Sequence, residues 1–344
     1  MSENPFFSVI VPCYNAERTI KDTLLSVLRQ KYKDYEIICV DDGSEDGSYM
    51  ILKEMEDRYL KLSVIKKKNS GVAEARNTGI QNAKGKYVLF LDADDEMKDG
   101  MLCELSDYLI KNPSLWLCFG YEVIRNGKKE NEVYPFLEQD HIRQEKMIYE
   151  IINQECFPPI WNKVYSLEIL KQREIQFNKE LKYGEDFCFN LKYLLLCKCF
   201  YKNKKVFYQY NIQEQNSITS TYNKEKYKEM YLYFAETKNL LEAEMKNSEI
   251  MNVWLQALYI RLCFSCYMDL HRKECSMKWK EKIQFIETTK KSPIHKYSLS
   301  DNNKLKGKRK IFNGIFCVNS SVILYITSVM FYEIKKHSQY KSRF

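Results

Sequence analysis

Tyr87-Val88-Leu89-Phe90-Leu91-Asp92-Ala93-Asp94-Asp95 reads as an apolar strand that runs straight into three carboxylates. Five large apolar residues in succession suit a strand covered on both faces, the signature of a parallel sheet between helices. The same pattern stands upstream. Phe7-Ser8-Val9-Ile10-Val11 runs into Pro12-Cys13-Tyr14-Asn15, and Tyr35 to Val40 (YEIICV) runs into Asp41-Asp42-Gly43-Ser44. A further apolar run, LSVI, begins at Leu62. Between these runs, Glu17 to Gln30, Gly47 to Tyr59, Val72 to Ala83 and Lys98 to Lys111 carry helical periodicity. Strands alternating with helices predict an α/β fold with a mostly parallel central sheet and ligands at the carboxyl ends of the strands.

From Leu115 to Asn211 the pattern shifts to shorter mixed strands, WLCFGYEVI and KVFYQYN among them, around helices near Asp140 to Asn153 and Glu185 to Cys197. This predicts a continuation of the same sheet. Beyond Gln215 helical stretches dominate, at Lys224 to Lys246, Glu249 to Arg272 and Ser276 to Lys290, with a polar loop over Ser292 to Asn303. The expected organisation is therefore 1–114, the first half of the α/β domain; 115–215, the second half of the same domain; 216–303, a helical region; and 304–344, a basic and apolar tail.

With 344 residues, 45% hydrophobic and 29% charged, the chain has the composition of a folded protein, and disordered and collagen-like classes are excluded. No leader pattern opens it, and its 12 cysteines are scattered through apolar runs, which predicts reduced thiols and a cytoplasmic protein. No second Cys pair supports zinc. Charge is uneven: residues 216–344 hold 23 Lys/Arg against 12 Asp/Glu, whereas residues 1–215 hold 31 against 34. An acidic front and a basic back argue against a chain-wide nucleic-acid surface. They favour an anionic partner, such as lipid headgroups, near the C-terminus.

Carboxylates clustered at a strand end are costly unless a cation or several donors meet them, which points to Mg2+ or Mn2+ with a substrate diphosphate. Strand termination and helix capping are the plainer alternative for the same acids. Taken together, however, SVIVPCYN, VDDGSEDGS, NSGVAEARNTGI and YVLFLDADD, continued by WNKVYSLEIL at 161–170 and YGEDFCF at 183–189, resemble glycosyltransferase family 2. The resemblance implies a Rossmann-like domain of the glycosyltransferase A type, with a nucleotide-sugar donor half over 1–114 and an acceptor half over 115–215, an inverting transfer from a nucleotide sugar, usually a UDP-sugar, and a divalent metal.

On that resemblance the metal falls to Asp94, Asp92 lies near the ribose or uridine, and the base is the second acid of the ED pair, Asp186, with Glu185 as its rival. Physical reasoning adds that Pro12 and Tyr14 would pack the nucleobase and Asp42 would accept its imide N–H. The donor set is Pro12, Tyr14, Asn15, Asp42, Gly71, Arg76, Asp92 and Ala93. Arg76 would meet ribose and phosphates, or equally pair with Asp42 or Asp94 and neutralise them. Asp41 is read as structural. Trp161 offers a flat face for an acceptor sugar or an ordinary core ring.

The tail carries five basic residues over Lys304 to Lys310, then an uncharged stretch from Ile311 to Tyr332. Polar interruptions and positive flanks on both sides favour a helix lying on the inner leaflet of the cell membrane over a span or a helix packed on the domain. The expected function is sugar transfer to a glycan or lipid-linked glycan in surface polysaccharide synthesis. A non-catalytic nucleotide-sugar-binding protein and a nucleotidyltransferase are the alternatives, the latter normally carrying a glycine-rich loop where this chain has PCYNAERT.

Overall fold

The computed structural model describes residues 4–113, 116–135, 145–154, 156–197, 200–212, 222–245, 248–290, 314 and 320–341. Two compact units divide the chain, Met1–Gln215 and Asn216–Phe344. The first unit opens with strand β1 (Phe7–Cys13), helix α1 (Ile20–Leu28), β2 (Tyr35–Asp41), α2 (Ser48–Arg58), β3 (Leu62–Lys66), α3 (Val72–Asn82) and β4 (Tyr87–Phe90). It continues through β5 (Glu96–Met97), α4 (Met101–Lys111), β6 (Trp116–Arg125), β7 (Lys128–Val133) and α5 (Glu145–Ile152). It ends with β8 (Lys163–Ser166), α6 (Leu167–Gln172), α7 (Glu185–Leu196) and β9 (Phe200–Ile212).

The nine-stranded sheet runs β3-β2-β1-β4-β8-β6-β9-β5, with β7 on β6. The half built from β1 to β4 is parallel, as its continuous apolar strands predict: β1 pairs with β2 and β4, and β2 with β3. Beyond β4 the sheet is mixed. β8 lies antiparallel to β4 and to β6, β5 antiparallel to β9, and β6 parallel to β9. The change of direction brings β9 alongside β5, and so next to the acids that follow β4.

Burial explains the parallel half. Every residue of β1 and β4 is buried, and Val9, Ile10, Val11, Val88, Leu89 and Phe90 expose no surface. Each such side chain contributes about 1.5–3 kcal/mol relative to an exposed one. Gly79 on α3 meets β1 so closely that a Cβ there would stand 2.3 Å from Cγ2 of Ile10. That close approach fixes α3 against the sheet.

Helix α1 starts three residues later than its periodicity predicts. Asn15 adopts φ 50, Glu17 N donates to Asp46 Oδ2 at 3.1 Å, and Glu17 Oε2 accepts from Gly47 N at 2.8 Å. Cross-loop bonding thus takes the residues that the pattern assigns to the first turn. The helix expected over Asp140 to Asn153 is described only from Glu145, and residues 136–144 lie outside the described residues.

Among its described residues the second unit carries α8 (Lys226–Glu244), α9 (Glu249–Asp269), α10 (Trp279–Lys290) and α11 (Ser321–Lys341). Helix α9 is buried nearly all round, through Trp254, Leu255, Leu258, Leu262 and Phe264 among others, and both α8 and α11 pack on it. The loop expected over 292–303 and the basic run Lys304–Lys310 lie outside the described residues. Among the described residues no helix is long and apolar enough to cross a membrane.

Candidate active site

The ends of β1, β2 and β4 and the starts of α3 and α7 supply every candidate residue except Trp161. At β1, Pro12 is buried, Tyr14 is half exposed, and Asn15 bridges to the neighbouring turn, its N–H donating to Ser44 Oγ at 3.1 Å and its Oδ1 accepting from Glu45 N at 2.9 Å. Tyr14 therefore presents a free ring face at the sheet edge.

At β2 the two acids differ. Asp42 is buried, with Oδ2 accepting from Gly71 N at 2.7 Å, and Oδ1 from Ser70 N at 3.0 Å and from Lys67 Nζ at 3.3 Å. Its carboxylate thus holds the loop that starts α3, and the expected contact with a base imide would share oxygens already engaged. Asp41 is fully buried beside Cys13, and neither of its carboxylate oxygens has a hydrogen-bond partner among the described residues. Burial, and then the charge of Asp41, push the Cys13 thiol up to about 12, so it stays protonated.

Gly71 takes φ 92 and Gly184 φ 77, left-handed values that favour glycine, immediately before α3 and α7. Each helix thus begins on a sharp backbone entry. Arg76 on α3 is 4% exposed and forms the link: Nη1 lies 2.7 Å from Asp186 Oδ1 and 3.8 Å from Glu185 Oε1, and Nη2 lies 3.1 Å from Asp92 Oδ1. Its guanidinium also sits 5.4 Å above the Phe177 ring. Burial works against the guanidinium charge, but Asp186, Asp92 and Glu185 outweigh it, so Arg76 is held firmly cationic. Next to it, Asn77 brackets the backbone of Phe177, accepting from its N–H at 2.8 Å and donating to its C=O at 2.9 Å. The pairing of Arg76 with Asp42 or Asp94 expected from sequence is not the one formed: the guanidinium pairs with Asp92 and the ED pair instead, and Asp42 pairs with Lys67.

Asp186 is raised to about 7. Burial drives the rise, Arg76 opposes it, and Glu185 and Asp92 reinforce it. Its side chain keeps 27% of its surface accessible. A carboxylate titrating near neutrality with an open face can take up and release a proton.

The three acids after β4 have separate environments. Asp95 is fully buried, accepting from Tyr208 Oη at 2.7 Å and from Asn211 N at 2.7 Å, and its pKa is pushed well up by burial and by Asp92 and Asp94. It pins β9 to the acidic loop. Asp92 pairs with Arg76. Asp94 is exposed and has no cationic partner among the described residues; loss of hydration first, and the Asp92 charge second, raise it to about 6. The backbone of this loop is clamped from two sides, Thr23 Oγ1 donating to Ala93 O and Asn211 Nδ2 to Asp94 O, both at 2.9 Å. Tyr208, Asn211 and Thr23 lack any sequence signal for this role.

A cavity of about 600 Å3 opens beside Asp94, lined by Thr19, Asp22, Thr23, Asn126, Gln209 and Asn211 among others, without a Lys or Arg. Among the described residues no group of three His, Cys, Asp or Glu side chains is placed to hold a metal ion alone. A hard divalent cation bound through one or two carboxylates, waters and a substrate diphosphate needs no such cage. The uncompensated, upshifted Asp94 beside Asp92 fits that mode.

Trp161 departs from the expected acceptor platform. It is 6% exposed, and its ring stacks on Tyr208 at 4.3 Å and on Tyr210 at 5.4 Å, with Tyr121 edge-on at 4.6 Å. Aromatic packing has taken up the surface that a sugar would need.

The family model of glycosyl transferase family 2 matches residues 8–173, a stretch that contains β1 to β4 and the whole acidic loop. The chain carries a family 2 glycosyltransferase domain. Relatives of that domain include the uncharacterised glycosyltransferase EpsJ of Bacillus subtilis, 31% identical over 54% of this chain and 55% of its own length. The putative teichuronic acid biosynthesis glycosyltransferase TuaG of the same organism is 39% identical over 35% of this chain and 48% of its own length. The chain thus spans about half the length of these two curated relatives. Among solved structures, Staphylococcus aureus TarS 1–349 in complex with UDP-GlcNAc superposes with a TM-score of 0.65 at 22% identity, covering 96% of this chain and 92% of that one. This likeness establishes the glycosyltransferase A-type fold of the family 2 domain.

Proposed function

We propose that the protein is a metal-dependent inverting glycosyltransferase that moves a sugar from a nucleotide sugar, a UDP-sugar, to a hydroxyl of a glycan or lipid-linked glycan in surface polysaccharide synthesis. The observation that carries this reading is the Arg76 bridge between Asp92 and Asp186. It sets a group able to accept a proton near neutrality beside the acidic rim where a nucleotide diphosphate would bind. The named activities of relatives support the substrate class: TarS is a poly(ribitol-phosphate) beta-N-acetylglucosaminyltransferase, and its structures hold UDP-GlcNAc or UDP.

In this reading Tyr14 and Pro12 pack the base, with Asn15 and the Asp42-held loop at Gly71 shaping the nucleotide pocket. Asp94, with Asp92 beside it, would hold Mn2+ or Mg2+, which supplies positive charge to the departing diphosphate. Asp186 removes the acceptor hydroxyl proton as that oxygen forms its bond to the anomeric carbon. The bond from that carbon to the diphosphate oxygen breaks, and the electron pair leaves with the nucleoside diphosphate. Attack from the face opposite the leaving group inverts the anomeric centre. Arg76 keeps Asp186 oriented and ionised. Glu185, farther from the guanidinium, tunes the charge of the cluster.

Asp186→Asn tests the assignment against a binding protein without catalysis. Transfer should fall by about 10²–10⁴-fold, the usual worth of a general base, while UDP affinity by calorimetry stays within a few-fold. Near-normal transfer would remove Asp186 from the role.

A further inference from the structure

Helix α11 carries apolar residues on the face that the rest of its unit leaves open. Val322, Ile326, Met330 and Ile334 recur at four-residue spacing, with Ile323 beside them, and expose 41%, 53%, 60%, 60% and 44% of their surfaces respectively. At 1.5 Å per residue the stripe runs for about 18 Å. The opposite face already has its partners. Leu324 and Ser328 are fully buried, Ser328 Oγ lies 2.8 Å from His271 Nε2, and Tyr325 and Tyr332 pack against the His271 ring at 5.0 and 6.0 Å. Burial, aided by Lys282, lowers His271 to about 4, so this anchor is a neutral imidazole near pH 7. The helix is thus seated on α9 and α10 by its inner side, and the outward stripe leaves about half of its apolar surface open.

We infer that the outward face of α11 is a docking surface for an anionic lipid leaflet, with the helix lying in the membrane plane. Charge selects the occupant: residues 304–344 contain nine Lys/Arg and a single acid, Glu333. An apolar stripe within a stretch of sequence of net positive charge suits acyl chains below a layer of negative headgroups. No described helix has the length and apolarity to span instead. The inference stands independently of sugar transfer, although a lipid-linked acceptor would give it a purpose, since an enzyme held at a surface meets substrates confined there.

Flotation of the full chain with vesicles provides the test. Binding to phosphatidylcholine vesicles containing about one-third phosphatidylglycerol should exceed binding to pure phosphatidylcholine by about tenfold or more, and should weaken at high salt. The double variant Ile326→Glu, Met330→Glu, changed only at exposed positions, should lose about tenfold or more of that binding while keeping wild-type thermal stability and circular dichroism. Absence of binding to anionic vesicles would overturn the inference, as would equal binding by the double variant. It would equally be overturned if the variant turned a multimer into a monomer with vesicle binding intact, since the stripe would then join two copies of the chain.

Discussion

Arg76 joins two distant stretches of the chain, Nη1 reaching Asp186, 110 residues away at the start of α7, while Nη2 holds Asp92 just after β4. A buried guanidinium that bridges carboxylates is a strong constraint, because removing one partner leaves uncompensated charge in a poorly hydrated place. The bridge also sets the protonation of the proposed base.

The first consequence concerns pH. Asp186, raised to about 7 by burial against the opposing pull of Arg76, accepts a proton only when ionised. The turnover rate should fall about tenfold for each pH unit below the inflection. A profile measured with saturating donor and metal should therefore bend near neutrality. A rate independent of pH down to the ordinary carboxylate range would contradict the assignment.

Arg76→Gln should move that bend to higher pH, since the cation that favours the ionised carboxylate is gone while Glu185 and Asp92 remain. The same change should cost about 3–5 kcal/mol of stability in urea titration, the usual penalty for breaking a buried pair. Arg76→Lys keeps the charge but not the fork and should shift the bend less.

For Asp94 the sign is fixed by its raised pKa of about 6. An acid raised in the folded state favours folding below its ordinary pKa, and that contribution disappears as pH rises through the folded value. Metal-free Asp94→Asn should therefore melt above wild type at pH values over 6 and lose that advantage in acid. Mn2+ should raise the melting temperature of wild type and leave the variant unmoved. A metal-induced shift of equal size in both would remove Asp94 from the metal site.

Trp161→Ala separates a core ring from an acceptor platform. With Tyr208 and Tyr210 stacked on it, truncation should cost about 3–5 kcal/mol of stability. Trp161→Phe should restore much of that stability with acceptor KM unchanged, whereas a large rise in acceptor KM in a stable Phe variant would reinstate the platform.

Much of the parallel half of the sheet was legible in the sequence because strand ends announce themselves: Val40 gives way to Asp41 and Leu91 to Asp92 without transition, and parallel topology gathers such ends on one edge. Relationships across the fold were not. Nothing at Arg76 distinguishes Asp186 from Asp42 or Asp94 as a partner, since the choice depends on where the tertiary fold puts the start of α7. Tyr208 and Asn211 look like ordinary residues of an alternating strand, and their grip on Asp95 and on the Asp94 backbone arises only because β9 returns beside β5. Trp161 showed the opposite failure, an aromatic whose chemistry suited a sugar and whose surroundings had already filled its face.

The most direct test of the account is nucleoside diphosphate release from a panel of nucleotide sugars with a glycan acceptor, run with Mn2+ and again with EDTA. The account predicts release from a UDP-sugar that depends on Mn2+ and disappears in both EDTA and the Asp186→Asn variant. Release that persists undiminished in EDTA and in that variant would contradict it.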